Sequence, residues 1–301
     1  METPPLRSAA PMLPARLLTL LFAAAVAVLT AAAPAAAGDP APFRVMSYNI
    51  RVDVPTDNPS WTERRPHMAN QIAFYDPDLL GVQEAHSAMV GYLAGQLPGY
   101  DSYGLGRDDG GPVGETTTLF WRRDRYERLR AETLWCSPTP DRPSKGWDAA
   151  YPRTITRLLL RDRRDGVLLD VRNTHFDHVG VVAREQCADL VSSLAPAEVD
   201  GETARVVLMG DFNTGPDTAP YRRILAAGLR DARAASPVTF GPAGTFNAFD
   251  IARDNDGVAI DHVFIGPGLA VQRFAVPTDS FGGRVISDHF PIVADVVPVA
   301  R

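Results

Sequence analysis

The chain has 301 residues, 45% hydrophobic and 22% charged, which suffices for one enzyme-sized domain and excludes wholesale disorder, a collagen-like chain and a polytopic membrane protein. Thirty lysines and arginines stand against 36 acidic residues, net −6, and Lys145 is the only lysine, so no global cationic excess exists for coating nucleic acid.

In chain order, Arg7 and Arg16 oppose Glu2, an uncharged apolar stretch runs from Leu17 to Ala33, and Pro34 precedes the small-residue run Ala35-Ala36-Ala37. A basic start, an apolar middle and a small-residue cleavage site predict a secretory signal peptide over 1–37. Removing it leaves an exported domain, 38–301, of 264 residues and net charge −7, because the leader holds two arginines and one glutamate. The alternative is an uncleaved anchor, the apolar stretch being at the short end of a spanning helix; no second such run follows.

From Phe43, strand-like and helix-like segments alternate: FRVMSYNI, HMANQIAFY, DLLGVQE, SAMVGYLAGQL. Four strand-like runs follow, TTTLFWRR, ERLRAETLWC, TITRLLLRD and GVLLDVRNTHF, separated by turn-rich links such as RDDGGPVGE and SPTPDRPSKG. A helix (VGVVAREQCADLVSSL), a strand (RVVLMGDFN), a helix (PYRRILAAGL) and the strands AIDHVFIG, LAVQRFAV and HFPIVADVVPV complete an α/β pattern with no internal linker. The only cysteines, Cys136 and Cys187, permit one disulfide in an oxidising compartment or stand as two packed thiols.

Ionisable and amide residues recur at the ends of apolar strands. Asn49 ends the first, Glu84 ends DLLGVQE, His175 ends GVLLDVRNTHF, and Asp211 and Asn213 end RVVLMGDFN. Asp261 opens AIDHVFIG, and Asp288-His289 opens the last strand. One such residue is ordinary turn chemistry; the set predicts a site on one rim of a sheet. Asn49, Glu84, Asp211, Asn213 and Asp288 are hard oxygen donors, suited to Mg²⁺ or Mn²⁺ and to phosphoryl chemistry rather than to zinc. There is no phosphate-binding glycine loop and no nucleophile elbow, which leaves water as the nucleophile.

The ordered motifs SYNIR, GVQE, NTHFDH, MGDFN, IDHVF and SDHFP resemble the endonuclease/exonuclease/phosphatase superfamily over residues 43–297, and the intervening segments are similar to a secreted bacterial single-domain subgroup. The resemblance implies a four-layer α/β sandwich of two facing mixed sheets with helices outside. It implies Glu84 as the principal metal carboxylate, with Asn49 and Asp288 beside it. His289 would be the general base, oriented by Asp261; Asp211 and Asn213 would orient the nucleophile, hold a phosphate oxygen and join a second metal, and His175 would donate to the phosphate. In SKGWDAAYPR, Arg153 and Lys145 are candidates for phosphate contacts and Trp147 for ring stacking, with Asp148 grouped among them; a capped turn is the competing reading. His178 is kept as a remote supporting residue, and the Arg122, Arg123, Arg125 and Arg128 run as a solvated edge.

The reading that follows is a monomeric, secreted, magnesium-dependent phosphoesterase acting on a small phosphorylated molecule or a phospholipid head group, without stable membrane insertion. A nuclease of the deadenylase or deoxyribonuclease type is the alternative enzyme, and a catalytically inactive binding module the alternative from another class.

Overall fold

The structure, a computed structural model, describes residues 41–253 and 257–300; the expected leader lies outside the described residues. Strand β1 (Phe43–Asn49) sends alternate side chains to two interiors, Phe43 and Val45 to the core between the sheets and Met46 and Tyr48 to the opposite face. Residues two apart share a face of a strand, so a strand covered on both sides is apolar almost throughout. Strand β2 (Leu79–Gln83) runs parallel to β1 with Asn49 opposite Gln83, which brings Glu84, the next residue, to the same end of the sheet.

Helix α1 (Trp61–Tyr75) begins at Ser60, whose side chain forms a capping box with Glu63. With α2 (Ser87–Gln96) it covers the outer face of this sheet, Met68, Ile72, Met89 and Leu93 packing on Leu80 and Val82. Strands β3 (Tyr100–Tyr103) and β4 (Leu119–Arg122) finish one edge; the other carries Ile292–Pro298, Leu269–Ala275 and Thr239–Phe240, seven strands in all. YDSY, a short polar edge strand, has no apolar alternation that would mark it in the sequence.

The second sheet has six strands: β5 (Tyr126–Trp135), β6 (Thr154–Asp162), β7 (Leu168–His175), then Arg205–Asp211, Asp261–Ile265 and Arg230–Asp231. Its outer face is covered by α3 (Val181–Ser193) and the helix Ala219–Ala226, with Cys187, Val191 and Ile224 against Val206, Leu208 and Phe264. Helices, sheet, sheet, helices: this is the four-layer α/β sandwich expected. Cys136, one residue past β5, and Cys187 on α3 are disulfide-bonded, Cα to Cα 5.0 Å, which settles the two readings of that pair.

The sheets approach closely beneath the rim. A Cβ on Gly81 would stand 2.7 Å from Met209 Sδ and 2.9 Å from Asn173, so only glycine fits there. Beside it Gln83 Nε2 donates to Asn173 Oδ1 at 2.7 Å, and Asn173 Nδ2 donates to the Val82 and Thr118 carbonyls at 2.9 and 3.1 Å. These buried amide hydrogen bonds tie one sheet to the other. Among the described residues no helix is long and apolar enough to cross a membrane.

Candidate active site

Strand register builds one side of the site. Asp211 pairs with His175 across the parallel ladder and with Asp261 across the antiparallel one, so three residues distant in sequence form a row at one sheet end. His289 joins them from a loop. It does not open the last strand as expected: that strand begins at Ile292, and the segment Asp288–Phe290 is held instead by residues 245–247. Asn247 N–H donates to the Asp288 carbonyl and Phe290 N–H to the Thr245 carbonyl, both at 2.7 Å. His289 Nδ1 then lies 2.9 Å from Asp261 Oδ2, leaving Nε2 directed at Asp211 Oδ2, 3.8 Å away.

Asn49, fully buried, ties the two sheets' contributions together. Its Nδ2 donates to Glu84 Oε1 at 2.9 Å and to Asp211 Oδ2 at 3.0 Å, and lies 3.4 Å from His289 Nε2. Glu84 Oε2 accepts from Val52 N–H at 3.0 Å, and Ser287 Oγ donates to the Asn49 carbonyl at 2.8 Å. The turn after β1 is pinned from below by buried Arg64, whose guanidinium donates to the carbonyls of Ile50, Arg51 and Val52. Arg51 and Glu84 both adopt left-handed backbone (φ 54° and 64°), strain that is tolerated where a site requires it.

Charge is concentrated and poorly compensated here. Burial, followed by the Asp261 charge, pushes Asp211 up to about 7. Burial also raises Asp288, and the Glu84 charge adds to it against the pull of His289. Glu84 itself is held below its usual range, since hydrogen bonds from Val52 and Asn49 outweigh a burial effect of opposite sign. Burial alone would lower His289, but Asp261 and Asp211 carry it well above the ordinary histidine range. His175 moves the other way: burial, then Arg153 and Arg107, depress it, so it presents a neutral N–H at pH 7. Buried carboxylates that raise one another's proton affinity are a vacancy in charge that a cation fills. Glu84 and Asp288 have the hard oxygen chemistry of a Mg²⁺ or Mn²⁺ site, whereas Asn49 turns its amide nitrogen toward Glu84 and Asp211 and its Oδ1 accepts from Arg51 N–H at 3.0 Å. Asp211, Asp261 and His289 form a second buried group, donor atoms within 4.8 Å of one another; with Nδ1 of His289 engaged by Asp261, that group has the form of an oriented base.

The cavity over these residues has a volume of about 450 Å³. It collects Glu84, His175, Asp211, Asn213, Asp288 and His289 of the expected set, together with Arg153. Asn49 and Asp261 stand directly behind its walls. Asn213 is in left-handed backbone and its Nδ2 donates to the Phe176 carbonyl at 2.9 Å, which turns the residue toward the cavity.

The structure does not bring Lys145, Trp147 and Asp148 to the cavity. Lys145 and Trp147 are exposed elsewhere, and Asp148 accepts from Ala183 N–H at 2.7 Å and Val182 N–H at 3.2 Å. Asp148 therefore caps α3, whose own preceding residue, Gly180, has no side chain to do so. His178, the candidate supporting residue, stands beside Arg153. The strand ends at His175, so alternation no longer applies, and His178 reaches the cavity wall with Nδ1 3.0 Å from Arg153. In the arginine run, Arg125 is buried against Asp162 and Asp78 rather than solvated.

Reasoning from strand ends missed Arg51, Arg107, Glu115, Tyr151 and Phe246, all of which line the cavity from loops. For Arg107 and Glu115 a signal existed. They bracket GRDDGGPVGE, in which four glycines among ten residues imply a tightly folded loop rather than a spacer.

The endonuclease/exonuclease/phosphatase family matches residues 46–289. A solved family member from Bacteroides thetaiotaomicron is 32% identical, with a TM-score of 0.83, covering 87% of this chain and 100% of that one. A mannosyl-6-phosphatase from the same organism is 33% identical (TM-score 0.80, 85% and 99% covered), and a family member from Bacteroides vulgatus 34% (0.80, 85% and 98%). The chain belongs to the endonuclease/exonuclease/phosphatase family and is a phosphoester hydrolase.

Proposed function

We propose that this protein is a divalent-metal-dependent phosphatase of a small phosphorylated molecule, a phosphorylated sugar before a phospholipid head group. The observation that carries the reading is the cavity: about 450 Å³, within the size range of small-ligand pockets, with the carboxylates, both histidines and Arg153 around one volume. The 33% identity to a mannosyl-6-phosphatase supports the choice of a sugar ester.

Glu84 and Asp288, flanked by Asn49, would hold the cation, which when bound supplies positive charge against the phosphoryl oxygens and lowers the barrier to attack by water. The chain's own groups do the rest. His289 Nε2 takes the proton of the attacking water; Asp261, on Nδ1, keeps the ring in the tautomer and orientation that accept it. Asp211 Oδ2, near both rings, holds that water on line. His175 donates a neutral N–H to a phosphoryl oxygen, and Arg153, steadied by Asp177, faces it as a fixed cation. Export of the domain after removal of residues 1–37 belongs to the same proposal; the N-terminus of protein recovered outside the cell tests it, and an intact Met1 on a membrane-bound form contradicts it.

The reading is tested on metal-stripped protein. Adding Mg²⁺ or Mn²⁺ should raise the melting temperature and restore phosphate release from mannose 6-phosphate, and Glu84→Gln should lose both responses while remaining folded. Full turnover in excess chelator removes the metal dependence; cleavage of DNA in preference to every small ester removes the phosphatase.

A further inference from the structure

The far wall of the cavity is built to a degree that holding a phosphate does not require. Loop 104–115 folds back on itself: Arg107 N–H donates to the Glu115 carbonyl at 3.0 Å, Gly106 N–H to the Gly111 carbonyl at 2.8 Å, and Asp109 Oδ1 accepts from Gly111 and Val113 N–H at 2.7 and 3.0 Å. A Cβ at Gly106 would stand 2.1 Å from the Val113 carbonyl oxygen, and Gly114 needs φ +88°, so the glycines are what allow the loop to close. Trp135 Nε1 anchors it by donating to the Arg107 carbonyl at 2.7 Å.

The closed loop presents two side chains to the cavity. Arg107 and Glu115 are joined at 2.7 Å with both side chains largely buried, and the Arg107 guanidinium lies 4.6 Å from the ring centre of Tyr151. Tyr151 in turn stacks on His178 at 17°. Yet Arg107 Nε is buried with no hydrogen-bond partner among the described residues, Asp108 Oδ1 standing 3.9 Å off. That atom is closed off from the cavity as well, so a ligand would meet the lining guanidinium and carboxylate groups of the Arg107–Glu115 pair rather than Nε.

We propose that the Arg107–Glu115 pair is a hydroxyl-reading subsite, which selects a polyhydroxylated leaving group, a monosaccharide. This rests on the phosphatase reading above and deepens it. A sugar hydroxyl is both donor and acceptor, so neighbouring hydroxyls satisfy a guanidinium N–H and a carboxylate oxygen together. Tyr151 and His178 keep the guanidinium from swinging toward the reacting phosphate.

The test pairs two primary esters of the same carbon count, mannose 6-phosphate and n-hexyl phosphate, with wild type, Glu115→Gln and Arg107→Gln in the full chain. Wild type should favour the sugar ester in kcat/KM. Each variant should lose about 10- to 100-fold on mannose 6-phosphate, mainly through KM; Glu115→Gln, which leaves the Arg107 charge near His175 in place, should lose less than about threefold on hexyl phosphate, because unpaired polar groups are penalised only where hydroxyls had met them. Retained hexyl phosphate turnover reports that the site is still assembled. Equal losses on both esters, or none on the sugar ester, overturn the subsite while leaving the phosphatase standing. So does a wild-type enzyme indifferent to hydroxyls. Release of phosphate from neither ester by wild type overturns the phosphatase reading, and the subsite with it.

Discussion

Asp211 meets both histidines through one oxygen: Oδ2 lies 3.5 Å from His175 Nε2, 3.8 Å from His289 Nε2, and accepts from Asn49 Nδ2 at 3.0 Å. The two rings differ in proton affinity because their surroundings do. His289 has Asp261 and Asp211 against it, whereas His175 faces Arg153 and Arg107. One imidazole is thereby suited to accept and hold a proton and the other to donate a neutral N–H, a division of labour set by neighbours rather than by residue type. If Asp261 acts through His289, the two form one unit. His289→Ala should then lower turnover on the order of 10²–10⁴-fold, and adding Asp261→Asn should cost little more. Multiplicative losses in the double variant would show that Asp261 acts by another route, and comparison of single and double variants on mannose 6-phosphate decides it. His175→Ala should also be severe while leaving the pH of half-maximal activity in place, since a ring already neutral contributes no titration there.

At the scale of the element, the ladder between β6 and β7 carries the most heavily committed buried charge. Asp170, with no exposed surface, takes bidentate contacts from Arg157 (2.9 and 2.6 Å) and Arg172 (3.1 and 2.8 Å) and accepts from Ala197 N–H at 3.1 Å. Burial works against its ionised form, but the two guanidinium groups hold Asp170 below the usual carboxylate range. A carboxyl depressed in the fold stabilises it at pH above its unfolded value, near 4, and that contribution is lost as pH falls toward the folded value. Acid unfolding of wild type should therefore steepen below about pH 4, and Asp170→Asn should flatten that limb while costing about 3–5 kcal/mol at pH 7 by leaving buried Arg172 without its carboxylate and Arg157 with Glu132 alone. Denaturant melts of both proteins at pH 3 and 7 measure it; an unchanged acid limb in the variant would place the acid sensitivity elsewhere. The elements differ in how far they were legible. Strands such as β1 and Arg205–Asp211 are apolar on both faces and end in a polar residue, so the α/β class and the candidates Asn49, Glu84, His175, Asp211 and Asp261 could be read from the strand pattern, whereas the four-layer order rested on the family resemblance and His289 sits on a loop rather than at the strand start expected. Tyr151 could not, and for Arg107 and Glu115 the glycine-rich segment marked a folded loop without showing that it faces the cavity. They sit on loops whose paths are set by contacts distant in sequence, the Trp135 anchor and the Asp177 carboxylate that takes the Tyr151 N–H at 3.3 Å. Asp148 was misassigned for the same reason, its partner being a helix terminus 34 residues away.

At the scale of the whole molecule the question is what the surface charge leaves available to a long polyanion. The chain carries −6, and about half of the described arginines are paired with carboxylates, among them Arg44 and Arg273 on Asp295, Arg51 on Asp57, Arg157 on Asp170, and Arg223 on Glu185 and Asp189. The guanidinium groups at the cavity are paired too, Arg107 with Glu115 and Arg153 with Asp177. An arginine already neutralised by a neighbour displaces few counterions from a nucleic acid, so these pairs form no track along a phosphate backbone. A substrate with one phosphate, by contrast, needs only the few groups inside the cavity, and those are shielded from bulk salt by burial. The kcat/KM for mannose 6-phosphate should therefore change less than about tenfold between 50 and 200 mM salt, where an enzyme gripping six or more backbone phosphates would lose roughly 10³-fold. Initial rates across that range on mannose 6-phosphate and on a single-stranded oligonucleotide make the comparison direct. A shallow slope with the sugar ester as the better substrate agrees with one gripped phosphate. A steep slope with the oligonucleotide preferred would mean that arginines now paired with carboxylates exchange those partners for a backbone, and the hydrolase would then be a nuclease.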